Sequence, residues 1–335
     1  MKKEVFRAAL AALFVLIATS AFAGGATESA SGGDGPFRIA VVMPSATTDT
    51  AFSQSMWSAL VAVQEDMGGD DAVELVYSEN MFVVPDAAAA LRDYASQGYD
   101  LVIGHGSQYG TIIEDLAPDF PETAFAWGTD VNTFGLDNVY AYTAAAEEGG
   151  YVNGVLAGLM TESGTIGVTG PIEVGDARTY VNGFVQGVES VNPNASVSKT
   201  WTGSFSDVAL MTAAAQTHIS NGADMLTGSS QSVVGSIGAA IESGGVLWFG
   251  TQAEQTSLAP ELVVASQVYD WRMMLSEMIA NAQSGVYGGE SYVLTLENGG
   301  LKIAYNDEFD IPAEALEAAD AAIDGIIDGS ISVEP

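Results

Sequence analysis

Hydrophobic and polar positions settle into a regular alternation from Phe37 onward. Apolar runs of strand length stand at 37–43, 73–77, 101–104, 124–127 and 139–142. Between them, 52–67, 86–97 and 109–116 repeat apolar residues at helical spacing, the last followed by Pro118. Short continuous apolar strands alternating with helices predict a parallel sheet covered on both faces. After a predicted helix at 145–160 the series repeats, with strands at 165–168, 196–201, 224–226 and 246–249 and helices at 176–191, 207–220 and 232–242. A further strand at 263–268 precedes a helix at 270–284. Two strand-like runs, 291–296 and 301–305, flank Asn298-Gly299-Gly300, which reads as a hairpin turn. A last amphipathic helix spans 312–327, with Gly329 after it. The pattern predicts an α/β protein of two similar lobes.

Two stretches about 120 residues apart look like copies of one device: Phe125-Ala126-Trp127-Gly128-Thr129-Asp130 and Leu247-Trp248-Phe249-Gly250-Thr251-Gln252. Each is an apolar run that ends in an aromatic residue, a Gly, a Thr and a polar side chain. Buried parallel strands deliver ligand groups in this way at their carboxyl ends. Two lobes would then each give an aromatic and a polar tip to a shared cleft. The plainer reading keeps both tryptophans in the core.

The N-terminus adds a targeting signal. Lys2, Lys3 and Arg7 precede an apolar run from Ala8 to Ala18 and then Ala21-Phe22-Ala23, the form of a secretory signal peptide cleaved after Ala23. Residues 24–35 are small, polar and Gly/Ser-rich, as in a flexible tether. The apolar run is short for a membrane span and no second one approaches the needed length, so an exported, soluble product is expected. The chain has no cysteine, which excludes disulfides and an acylated cysteine. Without the first 23 residues, 6 Lys+Arg face 42 Asp+Glu, a formal charge of −36. Such a surface repels nucleic-acid polymers and anionic lipid and favours a neutral or cationic small ligand. It also suits solubility in concentrated salt.

The order of elements and eleven local runs resemble the basic membrane protein (BMP, PnrA-like) family of ABC-transporter substrate-binding proteins. The runs are RIAVVM, DTAFSQSMWSAL, YDLVIGHGSQ, FPETAFAWGTD, EEGGYVNGVLAGLM, GTIGVTGPIE, YVNGFVQGVESVNP, TGSFSD, NGADMLTGSS, LAPELVVASQV and LENGGLKIAYN. The resemblance implies a type I periplasmic-binding-protein fold, two doubly wound parallel-sheet lobes joined by a three-crossing hinge. It places crossings near 142–143, 266–268 and 290–292. One lobe would comprise 36–142 plus about 268–290, and the other 143–267 plus about 291–335. It further implies an extracytoplasmic, periplasmic receptor, a monomer that serves an ABC permease, with no cofactor and no metal.

The same resemblance carries site residues by position. Asp49-Thr50-Ala51-Phe52-Ser53-Gln54 opens the first helix toward the cleft, and Phe52 matches a ring-stacking phenylalanine; as a purely local feature it is a staple for the helix start. Phe205 matches a second stacking aromatic from the opposite lobe. Gly228 and Ser229 lie in a loop matching one that approaches a sugar. Four positions depart from the family: Ser53 stands where it has Asn, Thr129 and Gln252 where it has aspartates, and Tyr269 where it has lysine; the last three changes remove charge. Ser107 and His105 follow the third strand, His105 between glycines that permit close approach; a lone histidine there is as readily a structural hydrogen-bonder. Arg178 either pairs with a surface acid or reaches the cleft, and Trp57 packs on its helix. Trp127 and Trp248 complete the candidates.

Enzyme readings find no support, since GxSxG, Walker and HExxH patterns are absent and two histidines form no metal spacing. The expected function is capture of a flat heteroaromatic solute, a purine nucleobase or nucleoside, between two lobes. Two alternatives remain: another flat ligand such as riboflavin, or a sensor that presents its closed form to a membrane receptor.

Overall fold

In the computed structural model the described residues run from Gly35 to Pro335. The expected signal peptide and nearly all of the expected tether lie outside them. Apolar periodicity becomes structure much as anticipated. The first series is β1 (Phe37–Val42), α1 (Phe52–Met67), β2 (Val73–Ser78), α2 (Val84–Ser96), β3 (Leu101–His105), α3 (Gly110–Leu116), β4 (Ala124–Gly128) and β5 (Val139–Ala144). The second is α4 (Ala146–Met160), β6 (Thr165–Gly170), α5 (Gly175–Val191), β7 (Ser196–Trp201), α6 (Val208–Ser220), β8 (Met225–Gly228), α7 (Val233–Ser243), β9 (Leu247–Gln252) and β10 (Val263–Tyr269). The chain ends with α8 (Arg272–Gln283), β11 (Ser291–Leu294), β12 (Leu301–Tyr305) and α9 (Ala313–Ile327). Helix α2 starts two residues earlier than its periodicity suggested, because Pro85 fits the first turn, where no amide donor is needed.

The strands form two six-stranded sheets, β11-β5-β4-β3-β1-β2 and β12-β10-β9-β8-β6-β7. Every pair in the first is parallel. In the second only the edge strand β12 is antiparallel, against β10. β3 and β4 are wholly buried, as expected of strands covered on both faces.

Two expectations need correction here. Asn298-Gly299-Gly300 does make a turn, with Gly299 in the left-handed region at φ 71°, but not a hairpin. The strands on either side belong to different sheets, β11 pairing with β5 and β12 with β10. The third passage between sheets therefore falls after Leu294, not at 290–292, and 291–294 belongs with the first sheet. The local turn chemistry was readable; each strand's partner depended on which sheet edge stood open.

Helices α4 and α5 approach unusually closely. A Cβ on Gly154 would lie 2.1 Å from the Phe184 carbonyl oxygen, and one on Gly187 2.0 Å from that of Tyr151. Glycine is the residue that admits this contact, and the contact fixes α5, whose first turn faces the other sheet's loops.

Candidate functional site

Loops at the carboxyl ends of both sheets face one another, as open α/β sheets favour for ligand sites. They enclose a cavity of about 250 Å³. From the first sheet's side come Pro44, Phe52, Phe82, Ser107, Gln108 and Thr129; from the second come Ile172, Val174, Asp176, Phe205, Gln231 and Gln252. The wall is largely apolar and aromatic.

Phe52 begins α1. The amides at this helix start are capped from within the chain by Asp49, whose carboxylate accepts from the backbone N–H of Ala51, Ser53 and Gln54 at 2.8, 3.1 and 3.0 Å. These are the orphan donors of the first turn, now satisfied internally. Ser53 and Gln54 also turn inward. The Ser53 hydroxyl lies 2.6 Å from that of Ser45, and Gln54 Oε1 accepts from the Thr50 N–H at 2.9 Å. They build the loop; they do not line the cavity.

His105 lies behind Phe52. The two rings stack with centroids 3.8 Å apart and planes 12° apart. Its Nε2 is 3.0 Å from the Phe52 carbonyl and its Nδ1 2.9 Å from the Tyr142 hydroxyl. A carbonyl only accepts, so Nε2 carries the proton and Nδ1 accepts from Tyr142. Burial holds the ring neutral, with its pKa lowered to about 3. His105 thus supports a cavity residue without touching the cavity itself.

Phe205 stands on the opposite wall. Ser230 Oγ and Ser232 Oγ donate to its carbonyl at 2.9 and 2.8 Å, tying the β7–α6 loop to the β8–α7 loop. Its ring meets Phe82 at 6.1 Å between centroids, tilted by 48°. Phe82 was not anticipated. It sits in Met81-Phe82-Val83-Val84, an apolar run too short and too close to a helix start to read as a strand, which was its only signal.

Asp176, also unanticipated, is the polar centre. Its Oδ2 accepts from Gln252 Nε2 at 3.0 Å and from the Tyr269 hydroxyl at 3.1 Å. Burial raises the carboxyl's pKa, opposed by those two hydrogen bonds, and burial with the nearby Asp176 charge pushes Tyr269 well up. Gln252 takes φ 69°, a left-handed turn at the end of β9 that brings its side chain to the wall. Tyr269 reaches the site through Asp176 and does not line the cavity.

The two tryptophans are core residues. Trp127 packs on Phe134 and donates Nε1–H to the Asn132 carbonyl at 2.8 Å; Trp248 is 0% exposed and donates to Gln255 Oε1 at 2.7 Å. Both point onto helix-covered sheet faces. Gly228 is held by close packing, a Cβ there lying 2.1 Å from the Thr169 carbonyl oxygen, while Ser229, Ser230 and Gln231 just beyond it line the wall. Arg178 is exposed on α5, away from the cavity. Trp57, as expected, packs from its helix, against Tyr77. Among the described residues no group of His, Cys, Asp and Glu is arranged to hold a metal ion.

Residues 37–326 match the Bmp family, described as ABC transporter substrate-binding protein, PnrA-like. A purine-binding protein of Brucella abortus (strain 2308) is 28% identical over 70% of this chain and 66% of its own length. A putative ABC transporter glucose-binding protein of Haloferax volcanii is 26% identical over 75% of this chain and 62% of its own. The chain thus spans a little under two thirds of each of these relatives. Among solved structures, an ABC transporter solute-binding protein from Conexibacter woesei shares the fold, with a TM-score of 0.74 and 23% identity over 89% of this chain and 98% of that one.

Proposed function

The chain belongs to the Bmp family of PnrA-like ABC transporter substrate-binding proteins, and on that footing we propose that it is the extracytoplasmic receptor of an ABC importer, trapping a flat heteroaromatic solute between its lobes. A purine nucleoside or nucleobase is the first choice of ligand. The carrying observation is the cavity between the two sheets, with Phe52 on one side, Phe205 on the other and Phe82 against Phe205. Rings of this kind bury the faces of a planar heterocycle with little loss of conformational freedom. The name of the Brucella relative supports the same ligand class. As the receptor of an importer it would pass the solute to a separate permease in the membrane. Among the described residues no helix is long and apolar enough to cross a membrane.

Contacts from both sides form fully only when the lobes close, so the ligand shifts the population toward the closed state. The passages at Ala145, Asp270 and the 295–300 segment are where the chain would bend. Calorimetry against inosine, adenosine, hypoxanthine, riboflavin and glucose tests the ligand, and X-ray scattering tests closure. The expected result is tight binding of a purine with a smaller radius of gyration. Tight binding of glucose with no response to any flat ring would overturn the reading.

A further inference from the structure

Gln255, just beyond the end of β9, is 0% exposed, and its neighbours fix the orientation of its side-chain amide. The Trp248 indole only donates, so it meets the amide oxygen, at 2.7 Å. The amide nitrogen then points the other way, and its two hydrogens go to backbone carbonyls, Thr251 at 2.9 Å and Thr50 at 3.0 Å. Gly250 makes room for this arrangement, since a Cβ there would lie 2.8 Å from the Gln255 oxygen. Trp248 and Thr251 stand on β9, in the same lobe as Gln255. Thr50 stands in the other lobe, at φ 55° in the loop that leads into α1 and Phe52. Outside the three passages, and among the described residues, this is the only hydrogen bond between the two lobes. An N–H···O bond is lost once its atoms separate beyond about 3.5 Å. A rotation that opens the cavity therefore breaks it, and leaves one amide hydrogen and the Thr50 carbonyl for water to satisfy.

Resting on the reading of a receptor that closes on its ligand, we propose that Gln255 is a positioning residue that latches the lobes: by donating to the Thr50 carbonyl it holds the loop carrying Phe52 and keeps the closed form populated before any ligand arrives. Gln255 does not line the cavity. It acts on affinity through the open–closed equilibrium alone. When a ligand binds only the closed form, its apparent dissociation constant is that of the closed form divided by the fraction closed. A change at Gln255 therefore scales the affinity of every ligand by one factor. A residue that touches the ligand changes affinity by a factor that depends on what each ligand presents to it.

The test uses Q255M, which keeps the length of the side chain and removes the amide, together with W248F and W248F/Q255M, a pair in which no indole N–H is left without its acceptor. The chain has no cysteine, so D93C on α2 and Q216C on α6, both exposed positions, give one spin label in each lobe of the full-length protein. Label-to-label distances are measured by electron–electron resonance without ligand, and inosine, hypoxanthine, riboflavin and glucose are titrated calorimetrically. The wild type should show a closed population without ligand. Q255M should lower the closed-to-open ratio about two- to tenfold, the worth of one hydrogen bond. Every ligand that binds should then bind more weakly by one common factor, no larger than that. W248F/Q255M should differ from W248F in the same way, and this pair decides the matter if Q255M alone does not fold. The inference is overturned if the wild type has no closed population without ligand, if that population is the same with and without the amide, or if the losses differ between ligands by more than the error of the titrations. If none of the four ligands binds, the proposed function falls, and the distance measurement alone decides on the latch.

Discussion

Strand β4 leads through Trp127-Gly128 to Thr129, and β9 through Trp248-Phe249-Gly250-Thr251 to Gln252. The first puts Thr129 on the cavity wall, while the second buries Thr251, whose hydroxyl donates to the Gly228 carbonyl at 3.0 Å, and brings Gln252 to the wall instead. One additional residue between Trp and Gly accounts for much of this, since neighbouring strand residues point to opposite faces. Both indoles nevertheless end in the core, each with its N–H bonded within its own lobe. Only the residue at the strand's end, Gln252, or just beyond it, Thr129, reaches the ligand space. Similar letters at two strand ends therefore mark similar packing more than a duplicated binding device.

The largest expected effect separates packing from binding. Trp248→Ala should cost about 3 to 5 kcal/mol of stability by leaving a cavity, and Trp127→Ala, with Trp127 5% exposed, somewhat less. Urea unfolding measures both. A Trp127→Ala protein that keeps its stability and loses its ligand would restore the strand-tip reading.

Next in size is an effect confined to the first lobe's side of the comparison. His105 pairs with Gly128 in the β3–β4 register and is held neutral in the fold. A depressed histidine pKa contributes stability that is fully present above the unfolded value of roughly 6.5 and lost as pH falls toward the folded value, because the unfolded chain takes up the proton first. Between pH 7.5 and pH 5 this group alone should remove about 2 kcal/mol, at roughly 1.4 kcal/mol per unit below the unfolded pKa. His105→Gln should flatten that part of the curve; a slope unchanged in the variant would show that His105 charges inside the fold.

Phe205→Ala should weaken ligand binding by about 1 to 2 kcal/mol, the worth of one stacked face, with a smaller change in melting temperature. Phe82→Ala should act in the same direction. Phe52→Ala should lower both affinity and stability, since that ring also covers His105. Unaltered affinity in all three would remove the aromatic walls from the site.

The smallest effect tests the two threonines directly. Thr251→Val removes a buried hydrogen bond and should cost about 1 kcal/mol of stability with little change in affinity. Thr129→Val should do the reverse. Matching effects for the pair would mean that the two strand ends are equivalent after all.

Amphipathic period and apolar run length were enough to set strand and helix order, because burial on one face or two is written directly into residue spacing. The resemblance of eleven local runs added the fold, and by position it brought Phe52, Ser107, Thr129, Phe205, Ser229 and Gln252 to the cavity wall. Four things were decided only in three dimensions. Ser291–Leu294 joined the first sheet because β5 offered an open edge, which no local turn signal records. Trp127 and Trp248 turned to covered faces, where burying a large ring outweighs presenting it. Asp176 read as an ordinary acidic residue at a helix start, and became the site's charge because β9 and β10 bring Gln252 and Tyr269 to it from 76 and 93 residues away. Phe82 became a wall through contact with a ring of the other lobe. Periodicity reports how a residue is buried within its own element; which distant groups share its surroundings depends on how the sheets and loops close around it.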